Sequence, residues 1–578
     1  MTGPAAPKDP EKARPFFYIL KDKDIFGERQ KDGTGIQFIY ESDGRLINSA
    51  QITGNVTDKE ELTLLETVEG FGRLVHSIGV SVETDRPEET AEFVFQMYGK
   101  KDLYGGGTNL TTSLKCDGME HRIYLSDYRW TEDDHVPGQI KILFAAPERM
   151  GKVSVRLFLN DGYEAPPEEE DLVIDMHSEE YCGMISRSLL QLGNPYRIRK
   201  AIEKSKAGKE VTLAYIGGSI TQGAGAIPIH TECYAYKSFQ LFQNRFSTQN
   251  NVRFIKAGVG GTPSELGMIR FDRDVLREGE RPDIVVIEFA VNDEGDETKG
   301  VCYESLVRKV LKLPWKPAVV LLFSVFANDW NLQERLRPVG DLYDLPMVSI
   351  RDAVTQQFSL KCGEGRILSK NQFFYDIFHP NNPGHTIMAD CLQYLFERCD
   401  AAEPARVGTF VEGMTEEQIL SEKLSGPAVI GADFERIFLL DKKNRYVGAK
   451  IRAGGFTSTD IELQSVEMDR SLTQTPEFPY NWMYDGSRPQ MPGFEMEITC
   501  KSLFLIFKDS GEMDVGKANV FVNDVYCMTA DPHKNNWLHC NAVLLFWETE
   551  SRSHKVRITV TEEDRNKKFT ILGFGYTI

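Results

Sequence analysis

Leu213-Ala-Tyr-Ile-Gly-Gly-Ser219-Ile-Thr-Gln-Gly223 decides how this chain is read. Apolar residues run into paired glycines, which deliver a serine at the end of what reads as a strand. The apolar run starts at Val211, and a run of this kind suits a strand buried on both faces. Further runs at Val252–Ala257, Ile284–Phe289, Ala318–Ser324 and Met347–Ile350 alternate with helical periods near 233–248, 263–277, 298–313 and 384–398. Upstream, Tyr196, Ile198, Ala201 and Ile202 stripe another helix. Strand–helix alternation predicts an open, mostly parallel sheet covered on both faces. Sites in such sheets lie beyond the carboxyl ends of the strands.

Three more segments follow in order: Ala257-Gly-Val-Gly-Gly261, Phe289-Ala-Val-Asn292-Asp293 and Asp376-Ile-Phe-His379. A serine hydroxyl needs a base within reach, and the base needs an orienting group. An acid and a histidine three residues apart can share one face of a tight turn. Alone, Gly217-Gly218-Ser219 could be a plain connection and Asn292–Gly295 only a turn. Together the four blocks resemble those of the SGNH (GDSL-type) hydrolases, over roughly residues 190–400. The resemblance implies a flavodoxin-like three-layer α/β core with a parallel sheet. It also implies Ser219 as nucleophile, His379 as general base and acid, and Asp376 as orienting carboxylate. The oxyanion hole would comprise the N–H groups of Ser219 and Gly261 and the side-chain amide of Asn292. No cofactor or metal is implied, and the ten histidines show no H-x-x-x-H or H-E-x-x-H spacing.

The chain departs from the family pattern at Gly218 (the Asp of the GDSL signature), Ala290 (usually Gly) and Lys256 (often Asn). A G-x-S-x-G elbow fits poorly, because position 221 is Thr. Outside the blocks, His230 and Trp330 are candidate substrate contacts. Tyr234 and Tyr236 could line a pocket or fill the core. His385 reads as a surface or capping residue, and Trp537 and His539 as packing residues.

On either side of this core the pattern changes to short strands. Ile36–Tyr40, Phe93–Phe95 and Val153–Leu159 precede it, with turns at Gly105–Gly107 and Asn160–Gly162, which suggests an antiparallel sandwich. Ala165–Asp171 reads as a solvated linker. Asp400–Gly431 is broken by Pro404, Gly408, Gly426 and Pro427 around one helix at Glu416–Lys423. After it, Ser502–Phe507, Asn519–Val522, Lys555–Val560 and Phe569–Phe574 look like a galactose-binding-type jelly roll. The expected domains are an N-terminal β-sandwich at 13–170, the hydrolase core at 180–400 and a C-terminal β-sandwich at 430–578.

The formal net charge of −19 argues against binding nucleic acid or an anionic membrane. No apolar run reaches the length of a membrane span, and Met1–Pro10 lacks the apolar core of a signal peptide. A cytoplasmic protein is expected, or a secreted one if an export signal has been removed. The ten cysteines are scattered without C-x-x-C pairs, as for reduced thiols, and several lie within apolar runs that suit a small buried hydrophobe. The leading expectation is a carbohydrate O-acetyl esterase that takes acetylated oligo- or polysaccharides. The alternatives are a lipid or thioester acyl hydrolase on the same core, and a carbohydrate-binding protein with an inactive hydrolase domain.

Overall fold

The computed structural model describes residues 12–39, 45–53, 59–101, 105–168, 170–277, 279–402, 414–467, 474–535 and 537–578. Met1–Pro10, Tyr40, Pro404 and Gly408 lie outside the described residues.

The middle of the chain forms a six-stranded sheet. Its five parallel strands are Val211–Gly217, Val252–Gly258, Ile284–Glu288, Ala318–Phe323 and Met347–Ser349. Numbered along the chain, they lie in the order 2-1-3-4-5, which puts the topological switch point between the first and third strands. Every residue of Val211–Gly217 is buried. Leu213 and Tyr215 pack with Phe239, Phe242 and Leu392 on one face, and Ala214 and Ile216 with Leu266 and Leu306 on the other. Two covered faces explain why this strand shows no polar alternation. Leu189–Gln191 adds an antiparallel edge, which the sequence reading did not anticipate. The helix expected from Gly384 begins at Asn382, with Pro383 in its first turn and Asn381 as its cap.

The N-terminal residues form a four-stranded and a five-stranded antiparallel sheet. Ile78, Val80 and Leu157 from one meet Phe93, Phe95 and Ile142 from the other in a common core. Helices at Arg45–Thr53 and Val68–Leu74 are additions to the expected all-strand pattern. Leu46 and Ala50, four apart, turn into that core, while Ile52 packs into the core of the α/β unit.

The C-terminal residues build an eight-stranded antiparallel sheet dominated by Phe494–Asp509 and His539–Val560, and a two-stranded one of Ser465–Glu467 and Gln474–Pro476. Register shifts near Cys500–Ser502 and Leu503–Phe504 interrupt this long pairing. Phe504, Ile506 and Leu572 are fully buried in one cluster with Ile216, Ile269 and Ile287 of the central unit. Each such side chain contributes about 1.5–3 kcal/mol. The α/β unit therefore shares one of its cores with the C-terminal sheet. Seven of the ten cysteines are buried, as apolar surroundings suggested.

Candidate active site

Ser219 sits where the first parallel strand ends and a four-residue helix, Ser219–Gln222, begins. The turn is too tight for side chains. A Cβ at Gly217 would lie 2.2 Å from Thr221 Oγ1, and one at Gly218 would lie 2.1 Å from Asn292 Oδ1. The aspartate missing at 218 thus has a steric reason here, since the Asn292 carboxamide lies over the Gly218 Cα.

The Asp376–His379 turn approaches from the other side. His379 Nε2 lies 2.9 Å from Ser219 Oγ, and its Nδ1 lies 2.9 Å from Asp376 Oδ2. Asp376 Oδ1 also accepts the backbone N–H groups of Phe378 and His379, each at 2.8 Å. Burial alone would raise the Asp376 carboxyl. The adjacent His379 and these hydrogen bonds outweigh it and hold the group below the ordinary carboxylate value. A charged Asp376 fixes the proton on Nδ1 and leaves Nε2 to accept from the serine hydroxyl. The turn is braced: Ala327 N–H donates to Ile377 O (2.9 Å), and Tyr375 N–H to His379 O (2.8 Å). Gly225 admits the loop closely, since a Cβ there would meet Pro380 O at 2.1 Å.

Gly261 follows the second strand with φ +70, a left-handed conformation that favours glycine. Asn292 follows the third strand, and its neighbour Asp293 accepts the Ser264 N–H at 2.7 Å. Ser219 and Asn292 flank the switch point. Arg270, fully buried, donates to Ala257 O (2.7 Å) and Gly217 O (2.9 Å), tying the first two strand ends together.

Beneath the serine turn, Glu288 Oε2 accepts from Thr221 Oγ1 at 3.1 Å, and Thr221 lies 2.8 Å from the Tyr234 hydroxyl. Burial pushes the Glu288 carboxyl up to about 7 from 4.5. Between those values the folded state keeps a proton that the unfolded state releases. The stability this group gives is therefore full below about 4.5 and lost as pH rises to about 7, on the order of 3 kcal/mol. We expect Glu288→Gln, which cannot ionise, to melt higher than wild type at pH 8, with the gain gone at pH 4.5. A difference in melting temperature that ignores pH would refute the assignment.

His385 departs from its sequence reading. It is fully buried rather than at the surface, because the helix packs its face inward. Its Nδ1 accepts the Tyr234 N–H (3.2 Å) and its Nε2 donates to Ala224 O (3.1 Å). Burial depresses it to about 3, so it stays neutral with both nitrogens engaged. Tyr234 is core, and Tyr236 is half-buried against Phe239 and Phe254. Trp330 stacks on Phe326 (5.8 Å), and Phe326 meets Phe378 edge-on (5.1 Å), beside His379. His230 is half-buried in a short helix, and none of its described contacts reaches Ser219 or His379.

Trp537 and His539 pack against the central unit. Both come from the C-terminal sheet region and close over Gly261, where a Cβ would meet His539 Nε2 and the Trp537 ring at 2.9 Å. Trp537 remains 44% exposed, which leaves much of its ring open to a ligand. No local signal announces this contact, because His539 and Gly261 are 278 residues apart.

No curated protein sequence matches the chain. Among solved structures, a two-domain esterase active on acetylated mannans is 22% identical, covering 68% of this chain and 98% of its own (TM-score 0.54). Such an esterase co-crystallised with mannopentaose is 23% identical with the same coverage (TM-score 0.53). An acetylxylan esterase from Geobacillus stearothermophilus is 19% identical over 34% of this chain and 97% of its own (TM-score 0.26). The first two share the fold. Residues 215–387, within the α/β unit, match the model of the GDSL-like lipase/acylhydrolase family, which supports an ester hydrolase built on that unit.

Proposed function

We propose that this chain is a carbohydrate O-acetyl esterase working through an acetyl-enzyme. The observation that carries the chemistry is the continuous hydrogen-bond chain Ser219–His379–Asp376. Ser219 Oγ attacks the acetyl carbonyl as its proton passes to His379 Nε2. The Ser219 and Gly261 N–H groups and the Asn292 amide receive the oxyanion. Collapse expels the sugar hydroxyl, which takes the proton back from His379. Water, activated by the same imidazole, then releases acetate.

The sugar assignment draws on what flanks the site. We read three domains (13–170, 180–400 and 430–578), the last as a galactose-binding-type jelly roll. Trp537 borders Gly261 on one side. On the other, Asn48, Gln51 and Ile52 of the N-terminal unit line a cavity of about 300 Å³ with Phe326, Asn328 and Phe378. Aromatic faces with amide side chains suit sugar rings, and Trp330 borders the same aromatic row. The solved esterases that share the fold act on acetylated mannans.

Acetate release from a panel of acetylated oligosaccharides, run beside long-chain acyl esters and thioesters, tests the reading. Faster turnover of long acyl chains would favour a lipid or thioester hydrolase. No turnover of any ester, with sugar binding intact, would leave a binding protein. We further expect Trp537→Ala to cut kcat/KM on oligosaccharides about 2–10-fold, on the order of one aromatic contact. It should affect 4-nitrophenyl acetate hydrolysis much less. An equal loss on both substrates would deny Trp537 a sugar-binding role.

A further inference from the structure

The Gly260–Gly261 peptide poses a mechanical problem. Its N–H is the donor at 261, yet it lies between two glycines, whose backbones turn with little steric restraint. Within the segment, Thr262 Oγ1 donates to Val259 O at 2.7 Å and closes the turn around this peptide, but that bond engages neither its carbonyl nor its N–H. Its anchors come from the C-terminal unit. Gln464 Nε2 donates to Gly260 O at 3.1 Å, which is the carbonyl of the same peptide whose N–H faces the site. His539 Nε2 donates to Gly261 O, the next carbonyl, at 3.0 Å.

Both side chains are oriented by second partners. Gln464 Oε1 accepts the Cys540 N–H at 3.1 Å, so its amide cannot reverse without losing two hydrogen bonds. Asn535 Nδ2 donates to His539 Nδ1 at 3.2 Å, which leaves the ring proton on Nε2 for Gly261. Asn535 is in turn held by the fully buried Asp509, 2.5 Å away. Gln464 and His539 are themselves almost wholly buried. Val466 packs on Val259 just below.

We propose that Gln464 and His539 are positioning residues for the oxyanion hole, so that the C-terminal unit completes the catalytic geometry as well as flanking the substrate. The inference rests on the reading of Gly261 N–H as an oxyanion donor. The mechanism is twofold. The two donors fix the orientation of the Gly260–Gly261 peptide before substrate arrives, which is where an oxyanion hole gains its effect. A hydrogen bond to the Gly260 carbonyl also polarises the amide, making its N–H a better donor.

The test uses the full chain and 4-nitrophenyl acetate, an ester with no sugar units to bind along the flanking surfaces. We expect Gln464→Met, close in shape but without the amide, to lower kcat about tenfold with KM within about twofold. That is a fraction of the 10²–10³ lost with a whole donor. His539→Leu should behave alike, and His539→Gln, whose amide can reach toward Gly261 O, should recover much of the loss. Melting curves accompany each variant, and the His539→Gln recovery separates lost positioning from lost folding. The proposal is overturned if folded Gln464→Met and His539→Leu keep wild-type kcat, if only KM moves, or if Gln at 539 is no better than Leu. Should Asn292→Ala lower kcat while these variants do not, only the positioning role fails. Should Asn292→Ala and Ser219→Ala also leave kcat intact, the hydrolase reading falls with it.

Discussion

Ser219→Ala is expected to lower kcat by about 10⁴–10⁶-fold while leaving the melting curve in place. Only one oxygen leaves, and the conformation of the turn rests on Gly217, Gly218 and Gly223, which stay. His379→Ala should cost a comparable factor, because without it the serine proton has nowhere to go. Asp376→Asn would keep a side chain of the same size but lose the charge that sets the His379 tautomer, and a loss of about 10⁴ is expected. The losses should not multiply: Ser219→Ala/His379→Ala should be about as slow as either single variant, as for groups acting as one unit. Steady-state kinetics on an activated acetyl ester, with melting curves alongside, measures all four. More than about one per cent activity in a folded Ser219→Ala protein would exclude Ser219 as nucleophile.

Asn292→Ala should reduce kcat by about 10²–10³ with little change in KM. The carboxamide would meet charge that develops only as the carbonyl becomes tetrahedral, so ground-state binding should hardly notice its loss. It also lies over Gly218, so truncation empties the space that holds the nucleophile turn from above. Asn292→Asp separates these two effects. It fills the same space but presents a carboxylate to the oxyanion, and should be at least as slow as alanine. A loss confined to KM would mark Asn292 as an ordinary substrate contact.

Much of the architecture was legible where local pattern and global packing agree. The run at 211–216 is apolar because both of its faces are covered, and the blocks at Ser219, Gly261 and Asn292 follow strands, where parallel sheets place their sites. Asp376 and His379 met across one turn because their spacing left little else for them to do. What stayed hidden depends on partners distant in the chain. Leu189–Gln191 is three residues long and becomes a strand only by pairing with Met347–Ser349. His385 looks polar from its helix alone, and only Tyr234 and the Ala224 carbonyl reveal why it is buried. Trp537, His539 and Gln464 carry no spacing relative to Gly261 that a sequence could display. The helix Arg45–Thr53 is masked by the strand signals around it, although Leu46 and Ala50 give it an apolar stripe.

The core shared between the central sheet and Phe504, Ile506 and Leu572 bears on how this protein comes off the ribosome. The blocks that carry Ser219, Gly261, Asn292, Asp376 and His379 are all translated before those residues exist. At about 5–20 residues per second, the interval from His379 to Leu572 is on the order of 10–40 s. Until Phe504 and Ile506 emerge, the nascent α/β unit has an apolar face bare, and Gly261 stays unclamped until Gln464 and His539 are in place. A chain paused there is a sticky intermediate, expected to be slower than the finished protein. Full activity should therefore emerge only when synthesis reaches the C-terminal strands, and chaperone dependence should be concentrated in that window.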